Sequence, residues 1–155
     1  MFSPGICLAA VRSFEQDPRF GLAVMSEIGS RAMSSAINDP GTALDVIGRN
    51  TRLLSFWAEG QGDRDEIEPE HPRIHVARLM DDDLFEDAFM LMARDGAGLI
   101  EIQLRLLKCL TALSRIGSEP FRTAARRQAD IASARAAQAL TFAGDMERLV
   151  AAARK

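Results

Sequence analysis

The stretch DPRFGLAVMSEIGSRAMSSAINDPGTALDVIGRNTRLLSFWA, residues 17–58, contains two helix starts and decides the fold class. Asp17 and Asp39 are each followed by a proline. This order places a side-chain acceptor at the N-cap and a proline at the first helical position, where its missing N–H costs nothing. We therefore expect one helix to begin at Asp17-Pro18 and a second to run from Asp39-Pro40 to about Ala58.

Both helices have amphipathic spacing, with apolar residues recurring every three or four positions. In the first helix this spacing predicts a buried face made of Phe20, Val24, Met25, Ile28, Ala32 and Met33, with Ser26 and Ser30 on the exposed side. In the second it predicts Ala43, Leu44, Ile47, Leu54 and Trp57 inside, with Asp45, Arg49 and Arg52 outside.

Residues 59–73, EGQGDRDEIEPEHPR, are rich in acidic residues, glycine and proline and predict an exposed linker. The alternation over Ile74–Met80 is typical of a short extended segment. Asp83-Leu84-Phe85-Glu86 resembles a capping box, so we expect a third helix from there to about Arg94.

The remaining residues predict three more helices. Leu99–Ile116 is the most apolar and is expected to be central, while Ser118-Glu119-Pro120 opens a fifth helix. Gly144-Asp145 is expected to cap a short final helix, Met146–Ala153. The predicted fold is all-α: a compact array of five or six helices with at most one short extended segment, forming one domain over 17–155 after an N-terminal arm, 1–16.

Composition fits a folded globular protein, because 47% of the 155 residues are hydrophobic and 26% are charged. The apolar region Leu99–Ile116 is interrupted by four charged residues, so we expect no membrane span. The N-terminus lacks the basic region of a signal peptide. Two cysteines, Cys7 and Cys109, are too few for a disulfide framework, which favours reduced thiols in the cytoplasm.

Charge is unevenly distributed along the chain. The net charge is 0 over residues 1–58, −8 over 59–95 and +5 over 96–155. Such asymmetry can mark a surface for a partner, but the acidic middle and the basic end can also neutralise each other on folding. We favour neutralisation within the domain.

Three charged motifs favour structural interpretations over chemistry. Asp81-Asp82-Asp83 could hold a divalent cation, yet carboxylates are expected at a helix N-terminus. His71 and His75 have a spacing used in zinc sites but no nearby third ligand. Arg122, Arg126 and Arg127, beside Phe121, are more typical of a solvated face than of a nucleic-acid site.

No nucleophile elbow and no glycine-rich nucleotide loop occurs in the sequence. We therefore expect no catalytic residues, no metal or other cofactor, no nucleic-acid partner and no enzymatic activity.

The corner between the first two helices is the strongest candidate for a ligand site. It is rich in small polar residues, and free N–H groups at a helix N-terminus attract anions. Capping by Asn38 and Asp39, with Ser34 and Ser35 satisfying the last carbonyls of the first helix, is the favoured interpretation. The alternative is a small-ligand or anion site formed by Arg31, Ser34, Ser35, Asn38, Asp39 and Thr42.

The fifth helix carries a row of alanines, Ala125, Ala129, Ala132 and Ala136, which allows close approach of another helix. The central helix could supply that partner within one chain. We favour a symmetric homodimer through this face.

Residues 12–58 also resemble a known family. The resemblance depends on two runs, Phe14–Leu22 and Glu27–Ala43, the second of which contains Asn38-Asp39-Pro40-Gly41 at the corner. These runs resemble an uncharacterised bacterial family of predicted membrane proteins, domain of unknown function 2254. The resemblance implies a region that follows predicted transmembrane helices and lies outside the membrane. This chain is then either a fragment of a longer protein or a family member reduced to that region.

Two functional hypotheses follow from these patterns. The first and preferred one is a non-catalytic cytoplasmic interaction or regulatory module, which packs on itself or on a membrane-embedded region of the same family. The second is a sensor of a small ligand or anion at the Ser34–Thr42 corner, and an enzyme of unknown type comes third.

Overall fold

The computed structural model describes residues 17–60 and 78–153 of the chain. In these two ranges the chain forms six helices and no strand, so the all-α prediction is confirmed. The helices are α1 Pro18–Ala32, α2 Pro40–Glu59, α3 Asp81–Asp95, α4 Ile100–Leu113, α5 Glu119–Ala139 and α6 Ala143–Ala153.

Some predictions fall outside these ranges. The arm 1–16, most of the acidic linker and both histidines lie outside the described residues, as do residues 74–77 of the expected extended segment. Residues 78–80 are neither helix nor strand.

Three predicted helix starts are confirmed. The Asp17 carboxylate accepts a hydrogen bond from the Phe20 backbone N–H at 3.1 Å, and the Asp39 carboxylate accepts from that of Thr42 at 3.2 Å. Ser118 is the N-cap of α5. A proline follows each of these residues in the first turn, so the local capping signal fixes where the three helices begin.

The expected capping box at Asp83 is wrong. Helix α3 begins three residues earlier than a cap at Asp83 implies, at Asp81, with Met80 in the N-cap position and no side-chain cap. Asp81, Asp82 and Asp83 all lie in the first turn, where their charges complement the helix dipole.

Two further boundaries differ from the predictions. Helix α4 ends at Leu113 rather than Ile116, and the chain turns through Gly117, whose φ of 73° favours glycine. Helix α6 begins at Ala143 rather than Met146, because the break in the helical run lies at residues 140–142. Gly144 and Asp145 are therefore inside the first turn of α6.

The first five helices alternate in direction. The start of α1 meets the start of α3 through Arg19 and Asp83, and the end of α2 meets the start of α3 through Trp57 and Asp81. Opposite them, Ser30 near the end of α1 donates to Asp95 at the end of α3. We call the end that holds the start of α1, the end of α2 and the start of α3 the entry end.

The core lies between α2, α3, α4 and α5. Phe85 and Phe89 of α3 and Phe121 of α5 are buried in it, and the rings of Phe85 and Phe121 meet edge to face at 4.9 Å. Helix α4 packs against α2, α3, α5 and α6. This arrangement agrees with the expectation that α4 is central.

The predicted buried face of α1 is wrong in its rotation. Ser26 and Gly29 are buried, whereas Ile28 is 44% exposed. The reason is steric, since a Cβ atom on Gly29 would lie only 2.7 Å from Met92 Sδ of α3. The small residues of α1 therefore face its neighbours and let the helices approach closely.

The alanine face of α5 is already covered within one chain. Ala125, Ala132 and Ala136 have no exposed surface, and α5 packs against α3 and α4. The prediction of a dimer through this face is therefore wrong, because α4 and α3 are its partners. Whether the chain forms a homodimer by another face stays a prediction.

Candidate functional site

The corner between α1 and α2 is organised around Asp39. Its carboxylate accepts hydrogen bonds from both the backbone N–H and the hydroxyl of Thr42. These bonds lower the pKa of Asp39, the hydroxyl bond being the larger cause. Asn38 has a φ of 49°, a left-handed conformation that asparagine tolerates better than most residues. The negative charge of Asp39 thus occupies the position at the start of α2 where an external anion would bind.

The other candidate residues of the corner lie at the surface. Ser34, Ser35 and Asn38 are exposed and Thr42 is half-buried. The Arg31 guanidinium donates to Glu27 at 3.4 Å, one turn earlier on the same helix. The structure thus brings Asp39 and Thr42 together and pairs Arg31 within α1. A ligand at this corner stays a prediction.

Each carboxylate of the acidic triplet contacts a different element. Asp81 accepts from the Trp57 indole of α2 at 3.0 Å, and Asp82 accepts from Arg127 of α5 at 3.2 Å. Asp83 accepts from Arg19 of α1 at 2.8 Å. The triplet therefore ties three neighbouring helices to the start of α3.

Within residues 17–60 and 78–153, Arg19 makes the closest ion pairs between helices. Its Nε donates to Asp87 at 2.6 Å, and its Nη1 donates to Asp83. The bond to Asp87 is the main cause that raises the pKa of Arg19. Together with the Arg127–Asp82 pair, these contacts join carboxylates of the acidic segment, residues 59–95, to basic side chains of α1 and α5.

The basic patch on α5 is paired largely within its own helix. Arg122 and Arg126 both donate to Glu119, at 2.7 and 2.6 Å, and these bonds lower the pKa of the Glu119 carboxyl. Phe121 is buried in the core rather than displayed beside the arginines.

An apolar groove of about 370 Å³ opens at the entry end of the bundle. We call it the end groove, and it lies between the start of α1, the end of α2 and the start of α3. Its lining residues are almost all apolar: Pro18, Gly21, Leu22, Leu53, Leu54, Phe56, Trp57, Gly60 and Leu84.

The floor and the rim of the end groove differ in exposure. Leu22, Leu54 and Leu84 are buried and form the floor. Phe56 is 77% exposed and Leu53 is 52% exposed at the rim, and Met80, just before α3, is 61% exposed. Exposed apolar side chains that line one groove, as Leu53 and Phe56 do, mark interaction sites on folded proteins.

The spacing of residues within each helix does not predict this groove. Leu53 and Phe56 follow Arg49 and Arg52 along the exposed side of α2, so two large apolar residues continue a polar stripe. That interruption was a usable signal. The groove itself requires three helix ends to meet, which spacing within one helix does not reveal.

Comparison with known proteins identifies a family. The model of a family described as predicted membrane protein (DUF2254) matches residues 5–112, from upstream of α1 almost to the end of α4. The match includes the runs that carry the resemblance seen in the sequence. No curated protein and no solved structure matches the chain. Within residues 17–60 and 78–153, every helix falls short of the length and apolar character that crossing a membrane requires.

Proposed function

Because this chain belongs to the family of predicted membrane proteins called domain of unknown function 2254, we propose that it is a non-catalytic cytoplasmic interaction module. Its partner is an apolar helix from the membrane-embedded region of a protein of the same family. The observation that carries the proposal is the end groove with its exposed rim residue Phe56.

The chemistry of the groove favours an apolar helix as its occupant. The lining is almost wholly apolar, and its polar group, the Trp57 indole N–H, donates to Asp81. A groove lined in this way gains free energy mainly by removing apolar surface from water. Burying one side chain such as Phe56 contributes about 1.5–3 kcal/mol.

The position of the groove supports a partner at the membrane. Pro18, the first residue of α1, lines the groove, so the chain upstream of α1 joins the domain beside it. The family resemblance implies that this region follows transmembrane helices. The end groove therefore adjoins the part of the domain that, in the family, connects to the membrane-embedded region.

The test is association with membranes in cells that also make the membrane-spanning region of a family protein. We expect the wild-type chain to sediment with the membranes and Phe56→Ser to lose about tenfold or more of that association. The matched control is Phe142→Ser, since Phe142 is 69% exposed but lies beyond the end of α5, opposite the entry end.

Three outcomes would overturn this proposal. Equal association of both variants would remove the end groove from the interaction. Association that is lost in Phe56→Ser but persists without the membrane-spanning region would make that region unnecessary. Sedimentation equilibrium that shows a dimer dissolved by Phe56→Ser, with no association with membranes, would replace the partner with a second copy of this chain and establish the homodimer.

The sensor hypothesis has less support. Its site at the Ser34–Thr42 corner places the Asp39 carboxylate where an anion would bind, and the carboxylate is held there by Thr42. A thermal-shift screen tests it, because a ligand at 100 times its Kd adds about 2.7 kcal/mol of apparent stability.

A further inference from the structure

A second groove, of about 680 Å³, lies between α4 and α6. We call it the cationic groove. Lys108 of α4, Arg115 just after α4 and Arg148 of α6 line it, together with the apolar Leu104, Ala112 and Ala151. Its volume falls within the range of about 300–1,000 Å³ typical of small-molecule sites.

The groove carries a positive charge. Three of its lining residues are cations, and no carboxylate is among the described residues that line it. Arg148 shares its charge with Asp145, which lies 3.2 Å away at the start of α6. Lys108 and Arg115 are both exposed to solvent, and Arg115 also interacts within the chain, so an anion that enters the groove meets Lys108 first.

The walls between these cations are apolar. Leu104 is half-buried, while Ala112 and Ala151 are small and exposed, which leaves space along the helices. An inorganic anion would gain nothing from contact with apolar walls. A nucleic-acid strand would favour aromatic side chains for stacking, and the described residues that line the groove include none. Cations beside an apolar channel suit a molecule with an anionic head and a hydrocarbon chain.

We infer that the cationic groove binds an anionic phospholipid of the membrane surface, with the phosphate of its headgroup at Lys108 and Arg115 and the first part of an acyl chain along Leu104 and Ala151. Arginine and lysine are the side chains that recognise phosphate most strongly. The inference does not rest on the proposed protein partner, because it concerns a different face of the domain.

The apolar and cationic parts of the groove follow each other along α4. Leu104 lies about one turn before Lys108, and Arg115 lies about two turns after Lys108. A headgroup at Lys108 and Arg115 therefore leaves the space beside Leu104 for a hydrocarbon chain.

The test is sedimentation with vesicles of phosphatidylglycerol mixed with phosphatidylcholine, compared with vesicles of phosphatidylcholine alone. We expect binding to the anionic vesicles and a loss of about tenfold or more in Lys108→Glu. Arg49→Glu is the matched control, because it changes the net charge equally at an exposed residue of α2 outside the groove. Ala151→Phe fills the groove without changing charge and should also lose binding.

Several results would overturn the inference. Equal binding to both kinds of vesicle would remove the role of the anionic headgroup. Equal loss in Lys108→Glu and Arg49→Glu, with Ala151→Phe unaffected, would mean diffuse attraction by the whole surface. Binding of laurate or inorganic phosphate in solution, with none to the vesicles, would assign the groove to a soluble anion. Far-ultraviolet circular dichroism of each variant verifies the fold before binding is compared.

Discussion

Asn50 of α2 donates a hydrogen bond of 2.8 Å from its side-chain amide to the carbonyl oxygen of Ala88 in α3. The side chain has no exposed surface, and within the described part of the chain its Oδ1 atom has no hydrogen-bond partner. One half of the amide therefore links two helices, while the other half is a polar atom buried without compensation.

This imbalance predicts opposite results for two substitutions. Asn50→Ala loses the hydrogen bond and leaves a cavity, so the free energy of unfolding should fall by about 1–3 kcal/mol. Asn50→Leu has a similar volume and removes the uncompensated oxygen, so its stability should stay within about 1 kcal/mol of the wild type. Urea denaturation measures both. An alanine variant as stable as the leucine variant would contradict the role given to the buried amide.

Substitution by alanine should change the stability of the domain in opposite directions at two glycines. A Cβ atom on Gly96 would lie 2.8 Å from the Met92 carbonyl oxygen and 2.6 Å from Ile102 Cγ2. The backbone oxygen cannot move aside, so Gly96→Ala should cost about 1–3 kcal/mol. A Cβ atom on Gly48 would meet the end of the flexible Arg105 side chain at 3.1 Å. Since Gly48 is inside α2, Gly48→Ala should stabilise by about 0.5–1 kcal/mol.

Thermal and urea unfolding of these two variants form the experiment, each serving as the control for the other. A fall in stability for both would show that Arg105 cannot move away from Gly48. A rise for both would show that the chain near Gly96 is less tightly packed than its contacts indicate.

The sequence predicted what depends on local interactions. The starts of α1, α2 and α5 were found because an N-cap contacts the backbone only two or three residues further on, as Asp39 does with Thr42. The start of α3 was missed because Asp83 bonds Arg19 of another helix instead of capping its own. The three carboxylates of residues 81–83 complement the helix dipole without a side-chain cap. Acidic residues therefore do mark the start of α3, but they lie in its first turn and not at its N-cap.

The rotation of α1 and both grooves depend on tertiary contacts. Apolar residues occur on more than one side of α1, and the closeness of Gly29 to Met92 selects the buried side. The cationic groove combines α4 with α6, which are distant in sequence, so Lys108 and Arg148 share no local pattern. Leu53 and Phe56 offered a local signal, as large apolar residues on the polar side of α2.

The pairing of Arg19 with Asp87 should be measurable as a coupling between α1 and α3. Their charged atoms are 2.6 Å apart, and the side chains are 36% and 21% exposed. Partly exposed ion pairs contribute up to about 1 kcal/mol. We expect Arg19→Gln and Asp87→Asn each to destabilise the domain, with a coupling energy of about 0.5–1 kcal/mol in a double-mutant cycle.

High salt should reduce that coupling, because the pair is partly exposed to solvent and dissolved ions then screen its attraction. The control is the exposed pair of Arg49 with Asp45, which lies within one helix and should couple more weakly. Purely additive effects of Arg19→Gln and Asp87→Asn would show that the two side chains do not stabilise each other.

The last prediction concerns the pH dependence of the cap at Asp39. Hydrogen bonds from Thr42 lower the pKa of Asp39 below its ordinary value of 3.8. A carboxyl whose pKa is lower in the folded state contributes stability above the pKa of the unfolded chain and loses it as the pH falls through the folded value. Asp39→Asn keeps an acceptor for the Thr42 N–H but cannot ionise. The wild type should therefore have the higher Tm near neutral pH, and the difference should vanish in acid.

Asp39→Ala removes the acceptor and should be less stable than Asp39→Asn near neutral pH. Thermal melts of the three proteins over the acidic range decide it, because their other carboxyls are the same. Parallel Tm curves for the wild type and Asp39→Asn would show that the charge of Asp39 does not stabilise α2.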